Sequence, residues 1–292
     1  MGQQVLNGVF LGSIYALFAV GYTLVFGVLD ILNLAHAAVF MLSAFAALAL
    51  VADAHLSIWV ALPLGVVVGG LLGVILERVA FRPLRGRSDS NISGLISSLA
   101  MATVFEAIAL QIFGPDVSRF PQDTFPDRTI HVAGASASLL LLCIVAISVA
   151  LMAALTLLLA RTRLGRRIRA VAESPKAARI LGIDVDRTIA VAFFISSGLG
   201  GAAGVLFGLA FNSISPDVGR SVELKGLAVI ILGGMGSVPG AVIAGFVLGL
   251  IEIFTVAHFG SSYRDAVSFA VLFVVLVARP RGLLGRAAAR EA

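Results

Sequence analysis

Charge is what this chain has least of: Asp, Glu, Lys and Arg make up 13% of its 292 residues, against 59% apolar ones. A soluble domain carries about a quarter charged residues, so an ordinary solvated surface is excluded, and a mean hydropathy of +1.05 agrees. Cysteine is reduced to Cys143 alone, inside an apolar run. No internal disulfide or cysteine metal cluster can form, and nothing is learned of the redox compartment. Despite 31 glycines, no G-x-x-x-x-G-K-[ST] occurs, so the chain has no P-loop of its own; the glycines suit close helix packing in lipid. A G-x-S-x-G elbow is missing too, and nothing in the sequence pairs Ser237 with a base. An intramembrane enzyme is left without support, and no catalytic or metal-ligating residue is singled out.

What is present is a series of apolar runs, each about as long as the twenty residues that cross roughly 30 Å of hydrocarbon. They lie near Val5 to Val28, Asn33 to Val51, Ser57 to Val79, Ile92 to Phe113, Ser136 to Ala160, Ile189 to Phe211, Gly240 to Ala257 and Ser262 to Ala278. A further piece, Leu224 to Leu232, is too short to cross unless its flanks join it. The first run has no basic n-region and no small-residue cleavage site, and reads as a retained helix. The expectation is an all-α, polytopic transmembrane bundle with about eight spans plus a short broken helix, forming a single transmembrane domain over residues 1–292.

The pI of about 10.1 would suggest nucleic acid in a soluble chain, but here the bases are placed by topology. Arg78, Arg82, Arg85 and Arg87 follow the third run, eight more bases lie at 161–187, and Arg279, Arg281, Arg286 and Arg290 follow the last. The stretch from Gly114 to Ala135 instead sets Asp116, Asp123 and Asp127 against Arg119 and Arg128. The positive-inside rule puts the first three in the cytoplasm and the last outside. Parity then requires an even number of crossings between Asp217 and Phe259, with two short crossings or half-helices meeting at Gly233 to Gly240. Backward counting puts the N-terminus outside and the C-terminus in the cytoplasm, provided Asn33 to Val51 crosses fully.

Residues 161–187 hold eight basic and three acidic residues between apolar runs. Leu164, Ile168, Val171 and Ala172 fall on one helical face, with Arg163, Arg166, Arg167 and Arg169 around the other. Ser174 then supplies an N-cap oxygen, Pro175 sits at the first helical position, and Gly182 follows Leu181 as a left-handed cap. The arginines alone obey the positive-inside rule; the caps, which bound a helix of about two turns, need another reason.

Two breaks interrupt the membrane segments: Leu32 to His36, and the glycine-rich turn from Gly233 to Gly240. Broken backbone at membrane depth is tolerated only where protein or a water-filled cavity satisfies it. Asn33, His36, Gly233, Gly234, Gly236 and Ser237 are therefore candidate path residues. The bland alternatives are a tight inter-helix turn at 233–240 and a His36 held by a backbone carbonyl. Glu106 and Glu252 fall within spans, where a charge facing lipid costs about 2.5–3.5 kcal/mol on insertion scales; proton coupling or a buried hydrogen bond would each account for them. Lys225 either attracts a solute carboxylate or snorkels. Glu77, at a span boundary, needs no special role.

The stretches LNGVFLGSIYALFAVGYTLVFGVLDILNLAH (6–36), ERVAFRPLRG (77–86), TRLGRRIRAVAESPKAARILGI (162–183), LKGLAVIILGGMGSVPGAVIAG (224–245) and YRDAVSFAVLFVVLVARPRGLLGR (263–286) resemble, in order, the LivH-type permeases of branched-chain amino acid ABC importers. The resemblance runs nearly end to end. It implies a multi-pass inner-membrane subunit of a bacterial importer, pairing with a second, LivM-like permease, two cytosolic ATPases and a periplasmic solute-binding protein. ATP and Mg would be bound by the partners, with no cofactor on this chain. It also implies that 161–187 is a coupling loop whose short helix docks in an ATPase groove, with Arg169, Glu173, Ser174, Pro175, Ala178 and Gly182 as coupling residues. Ala178-x-x-x-Gly182 has the spacing of the importer EAA loop; Lys176 stands where that motif has Glu, and Glu173 is the local substitute. Where the family often has His-Gly-Glu, this chain has His36-Ala37-Ala38, which widens the expected solutes to urea, amides and other amino acids. The rival class is an ion- or proton-coupled secondary transporter using Glu106 and Glu252.

Overall fold

The computed structural model describes residues 1–85, 90–125, 129–132, 135–279 and 282–285. Arg87, Asp127, Arg128, Arg281, Arg286 and Arg290, counted in the charge pattern, lie outside the described residues. In chain order the helices are α1 (Gly2–Leu29), α2 (His36–Ala52), α3 (Ile58–Leu76), α4 (Ser90–Phe113), α5 (Leu139–Arg161), α6 (Arg163–Glu173), α7 (Pro175–Ile180), α8 (Val185–Phe211), α9 (Val218–Gly233), α10 (Val238–Phe259) and α11 (Arg264–Ala278). Helix α3 runs on through a π turn, Glu77–Phe81, and a 3-10 turn, Arg82–Leu84.

Among the described residues, seven helical segments are long and apolar enough to cross a membrane, and α2 is a shorter apolar helix. With α9 as the short additional segment, the expected all-α bundle is what the structure shows. The flanks of Leu224 to Leu232 do join it: α9 has 16 residues, about 24 Å at 1.5 Å per residue. One expectation is corrected. Residues 136–138 belong to no span but to a short antiparallel hairpin, β1 (Thr129–Val132) with β2 (Ala135–Ser138). Ser138 then caps α5 by accepting the Leu140 N–H, so the helix starts at Leu139.

The bundle has an inside and an outside. In α1 89% of the apolar stretch is buried and in α8 78%, but only 6% in the last span. In lipid, apolar side chains gain little by leaving the hydrocarbon, so small residues that let backbones meet decide the packing. Gly8 and Gly12 of α1 face Gly249 and Gly245 of α10. A methyl group on Gly12 would lie 2.7 Å from the Phe246 Cα, so a side chain there would force the helices apart. Gly65, Gly69 and Gly73 play the same part for α3 against α8. At the far end of α8, Asn212 takes a left-handed conformation and its Oδ1 accepts the Phe120 N–H at 2.8 Å. Ser118 and Ile214 exchange backbone bonds beside it, tying the 114–125 loop to the α8–α9 connection.

Candidate translocation path and docking segment

The first break begins where α1 ends. Asp30 adopts a left-handed conformation (φ 54°) and its N–H returns to the Phe26 carbonyl at 2.8 Å. The chain then turns on side chains: Asn33 Oδ1 accepts the Ala35 N–H at 3.2 Å, and Ser98 of α4 accepts the Leu34 N–H at 3.1 Å. The His36 N–H bonds the Asn33 carbonyl at 3.1 Å and α2 starts. The His36 ring is fully buried, 4.9 Å from the Phe18 ring and 5.4 Å from Tyr22. Gly200 of α8 makes room for it, since a methyl group there would sit 2.7 Å from His36 Nε2. The backbone of Phe18 interacts with the ring, though neither ring nitrogen meets strict hydrogen-bond geometry with any described residue. Asn33 Nδ2, Tyr22 Oη and Thr23 Oγ1 are also buried without partners. An unmet buried polar group costs about 1–3 kcal/mol, so this end of α2 holds polar atoms that the fold itself does not use.

The second break closes differently. Helix α9 stops at Gly233, and Gly234 and Gly236 have φ of 99° and 81°, values that suit glycine. Ser237 donates its N–H to the Gly234 carbonyl at 3.0 Å, and its Oγ accepts the Gly240 N–H at 3.2 Å, capping α10 ahead of Pro239. The serine is thus a helix cap. Gly233 and Gly240 touch through their backbones, and a Cβ on either would overlap the other's carbonyl. The chain's last described residues finish the closure: Leu283 and Leu284 donate N–H groups to the Leu232 and Gly233 carbonyls at 2.8 and 3.0 Å.

The segment from α6 to α7 is built by its caps. Thr162 Oγ1 accepts the Gly165 N–H at 3.0 Å to start α6, and Ser174 Oγ accepts the Ala177 N–H at 3.2 Å to start α7. Helix α7 ends with Gly182 at φ 76°, the Gly182 N–H on the Arg179 carbonyl and the Ile183 N–H on Ala178, both at 3.0 Å, the two-bond Schellman closure. Ala178 is buried, while Arg169, Glu173 and Pro175 are exposed. The apolar face of α6 is Gly165, Ile168 and Val171, with Leu164 half-buried; Ala172, expected on that face, is exposed because it turns toward a cavity. Sequence reasoning also passed over Ile180 and Leu181, 86% and 76% exposed at the tip of α7. Two bare aliphatic side chains on a basic loop were the available signal.

A cavity of about 460 Å³ joins this segment to the second break: Phe26 to Asp30 line it with Ala172, Pro175, Met235 and Gly236. Pro175 and Gly236 are thus brought together, while Asn33 and His36 lie apart from that cavity. A second, of about 480 Å³, lies between α7 and the ends of α1, α3 and α4. At its edge Glu77, 1% exposed, pairs with Arg85. Arg85 also reaches Asp186, in the first turn of α8, at 2.9 Å, and Arg82 joins at 3.3 Å. Glu77 is therefore a buried ion-pair partner and not an idle boundary residue.

Within the bundle, Glu106 lies 3.4 Å from Arg220. Glu252 is wholly buried, with Lys225 Nζ at 2.5 Å and Arg264 Nε at 3.1 Å. Lys225 turns inward instead of snorkelling: its ammonium also lies 3.2 Å from Tyr15 Oη and 3.3 Å from Asp265.

Comparison with known proteins places this geometry. Residues 4–276 match the family described as branched-chain amino acid transport system / permease component. The chain is 36% identical to the high-affinity branched-chain amino acid transport system permease protein BraD of Pseudomonas aeruginosa, over 97% of this chain and 95% of that one. Identity and coverage are the same for LivH of Escherichia coli. A probable LivH of Methanocaldococcus jannaschii is 28% identical over 97% of this chain and 92% of its own. Among solved structures, PsaBC from Streptococcus pneumoniae in complex with Fab shares the fold, with a TM-score of 0.50 at 12% identity, covering 96% of this chain and 92% of that one.

Proposed function

The chain belongs to the family of branched-chain amino acid transport system permease components, a multi-pass inner-membrane protein, and from that premise we propose how it works. It is the membrane-spanning subunit of an ATP-binding cassette importer for branched-chain or related amino acids. A second, LivM-like permease completes the membrane unit, two cytosolic ATPases bind ATP and Mg, and a periplasmic binding protein delivers the solute. This chain holds no nucleotide and performs no catalysis. Its N-terminus faces outward, and the 161–187 loop and C-terminus face the cytoplasm.

The observation that carries this reading is the capped rod α7, which presents Ile180 and Leu181 bare beside a cavity whose other wall is the second break. Arg169, Glu173, Ser174, Pro175, Ala178 and Gly182 give that rod its shape and charge, so that a push from the ATPase moves it as one body. The helices around Asn33 and His36, and around Gly233, Gly234, Gly236 and Ser237, then open alternately to each side. The pairing of Glu252 with two cations supports this over ion coupling, because a carboxylate already neutralised is poorly placed to carry a proton or sodium ion.

The test is a reconstituted complex carrying Ile180→Asp and Leu181→Asp. Both side chains are exposed, so the isolated chain should melt as before, while ATPase capture and ATP-driven uptake of leucine are lost. Uptake by this chain alone, driven by a pH or sodium gradient, would overturn the proposal. So would labelling of a cysteine placed at Lys176 from the outer side of intact cells.

A further inference from the structure

The far end of the bundle from α7 holds a further cavity, of about 470 Å³, between the end of α8, the start of α9 and the first turn of α11. That volume lies within the range of about 300–1,000 Å³ typical of small-molecule sites. Its lining is of two kinds: the aromatic Phe207, Phe211 and Phe269, and the charged Lys225, Arg264 and Asp265. Ser213, Ser215 and Ser221 add hydroxyls along the wall.

The charges in this corner balance. Lys225 and Arg264 oppose Glu252 and Asp265, but the four are unequally committed. Lys225 hydrogen-bonds Tyr15 and Glu252 and lies 3.3 Å from Asp265, so it is committed on several sides. Arg264 lies with Nε 3.1 Å from Glu252 Oε1 but outside hydrogen-bond geometry, and no described residue accepts a hydrogen bond from its two terminal amino groups. Asp265 uses Oδ1 on Lys225 and is 65% exposed. The cavity therefore presents a free guanidinium fork, which suits a carboxylate in bidentate geometry, and a carboxylate oxygen, which suits an ammonium. Beneath them Glu252 Oε2 is wholly buried without a partner.

We propose that this cavity is a binding site for a zwitterionic α-amino acid with an apolar side chain: its carboxylate on Arg264, its ammonium on Asp265 and the serine hydroxyls, and its side chain among the three phenylalanines. The neutral balance of the wall is the source of selectivity. A zwitterion adds no net charge, whereas an amine or an acid of the same shape leaves one charge unmatched where screening by water is weak. The inference rests on the permease reading above, and deepens it by giving the solute a first place on the outer side of this chain.

The experiment measures melting of the purified full-length chain in detergent against L-leucine, L-leucinamide, which lacks the carboxylate, and 4-methylpentanoate, which lacks the ammonium. A saturable rise with leucine is expected, with both analogues weaker by roughly tenfold or more, the loss expected for one hydrogen-bonded charge. Arg264→Gln should weaken leucine by a similar factor. Because that change also disturbs Glu252, Ser221→Phe is the companion: it fills the cavity without touching an ion pair, and should erase the leucine effect in a chain whose ligand-free melting is preserved. Equal stabilisation by the three compounds, or a leucine effect that survives Ser221→Phe, overturns the site. Stabilisation by phosphatidylethanolamine bicelles but not by leucine would assign the cavity to lipid and also overturn it. Leucine binding without any ATP-driven amino-acid uptake by the assembled complex would instead sink the importer reading and leave the site standing.

Discussion

At residues 30–36 the broken backbone is closed by side chains, Asn33 Oδ1 and Ser98 Oγ, whereas at 233–240 it is closed largely by backbone groups, including those of Leu283 and Leu284. The first closure leaves Asn33 Nδ2 and both His36 nitrogens buried without a partner in strict hydrogen-bond geometry among the described residues. The second pairs the Leu232 and Gly233 carbonyls. Two interruptions that look alike in sequence therefore differ in what they keep in reserve: one holds polar atoms that a passing solute or water can engage, and the other is an elbow whose carbonyls are already paired.

That contrast can be broken most severely at the elbow. Gly240→Val would drive a side chain into the Gly233 carbonyl, and a cost of at least about 3 kcal/mol is expected; size-exclusion chromatography of the solubilised chain should show aggregation. Leu283→Pro removes the donor to the Leu232 carbonyl and should cost about 2 kcal/mol, read as a lower melting temperature. His36→Leu is the sharpest discriminator. An apolar side chain in the ring of Phe18, Tyr22 and Phe40 should leave melting nearly unchanged, while uptake in the assembled complex falls by roughly tenfold, equivalent to about 1.4 kcal/mol. Unchanged uptake would show that the polar atoms around His36 take no part in transport. Ser237→Ala should have the smallest effect, about 1 kcal/mol for the lost α10 cap, with transport per folded molecule unaltered.

The spans were legible because hydrocarbon thickness imposes a length that any apolar run must meet. The limits of α7 were legible because Ser174, Pro175 and Gly182 each have one strong conformational use. Ala172 was misplaced by assuming that the apolar face of α6 is covered along its whole length, when at its C-terminal end the helix borders a cavity. The strands Thr129–Val132 and Ala135–Ser138 carry no strong alternation; the first was read as part of the outer loop, and Ser136 to Ser138 were absorbed into the neighbouring span. The roles of Glu77 and Lys225 could not be read at all: Lys225 meets Tyr15 across 210 positions and Arg85 meets Asp186 across 101, and charge type alone does not reveal which distant partner a side chain will find. Ile180 and Leu181 were overlooked because the surrounding arginines dominate the segment.

The bonds from Leu283 and Leu284 to the end of α9 also set an order of events during synthesis. Until residue 284 has left the ribosome, the elbow between α9 and α10 waits in the bilayer with two carbonyls lacking their final partners. A fusion or truncation placed close behind that point would act on the closing stitch of the membrane unit, so reporter tags on this permease belong after a flexible spacer.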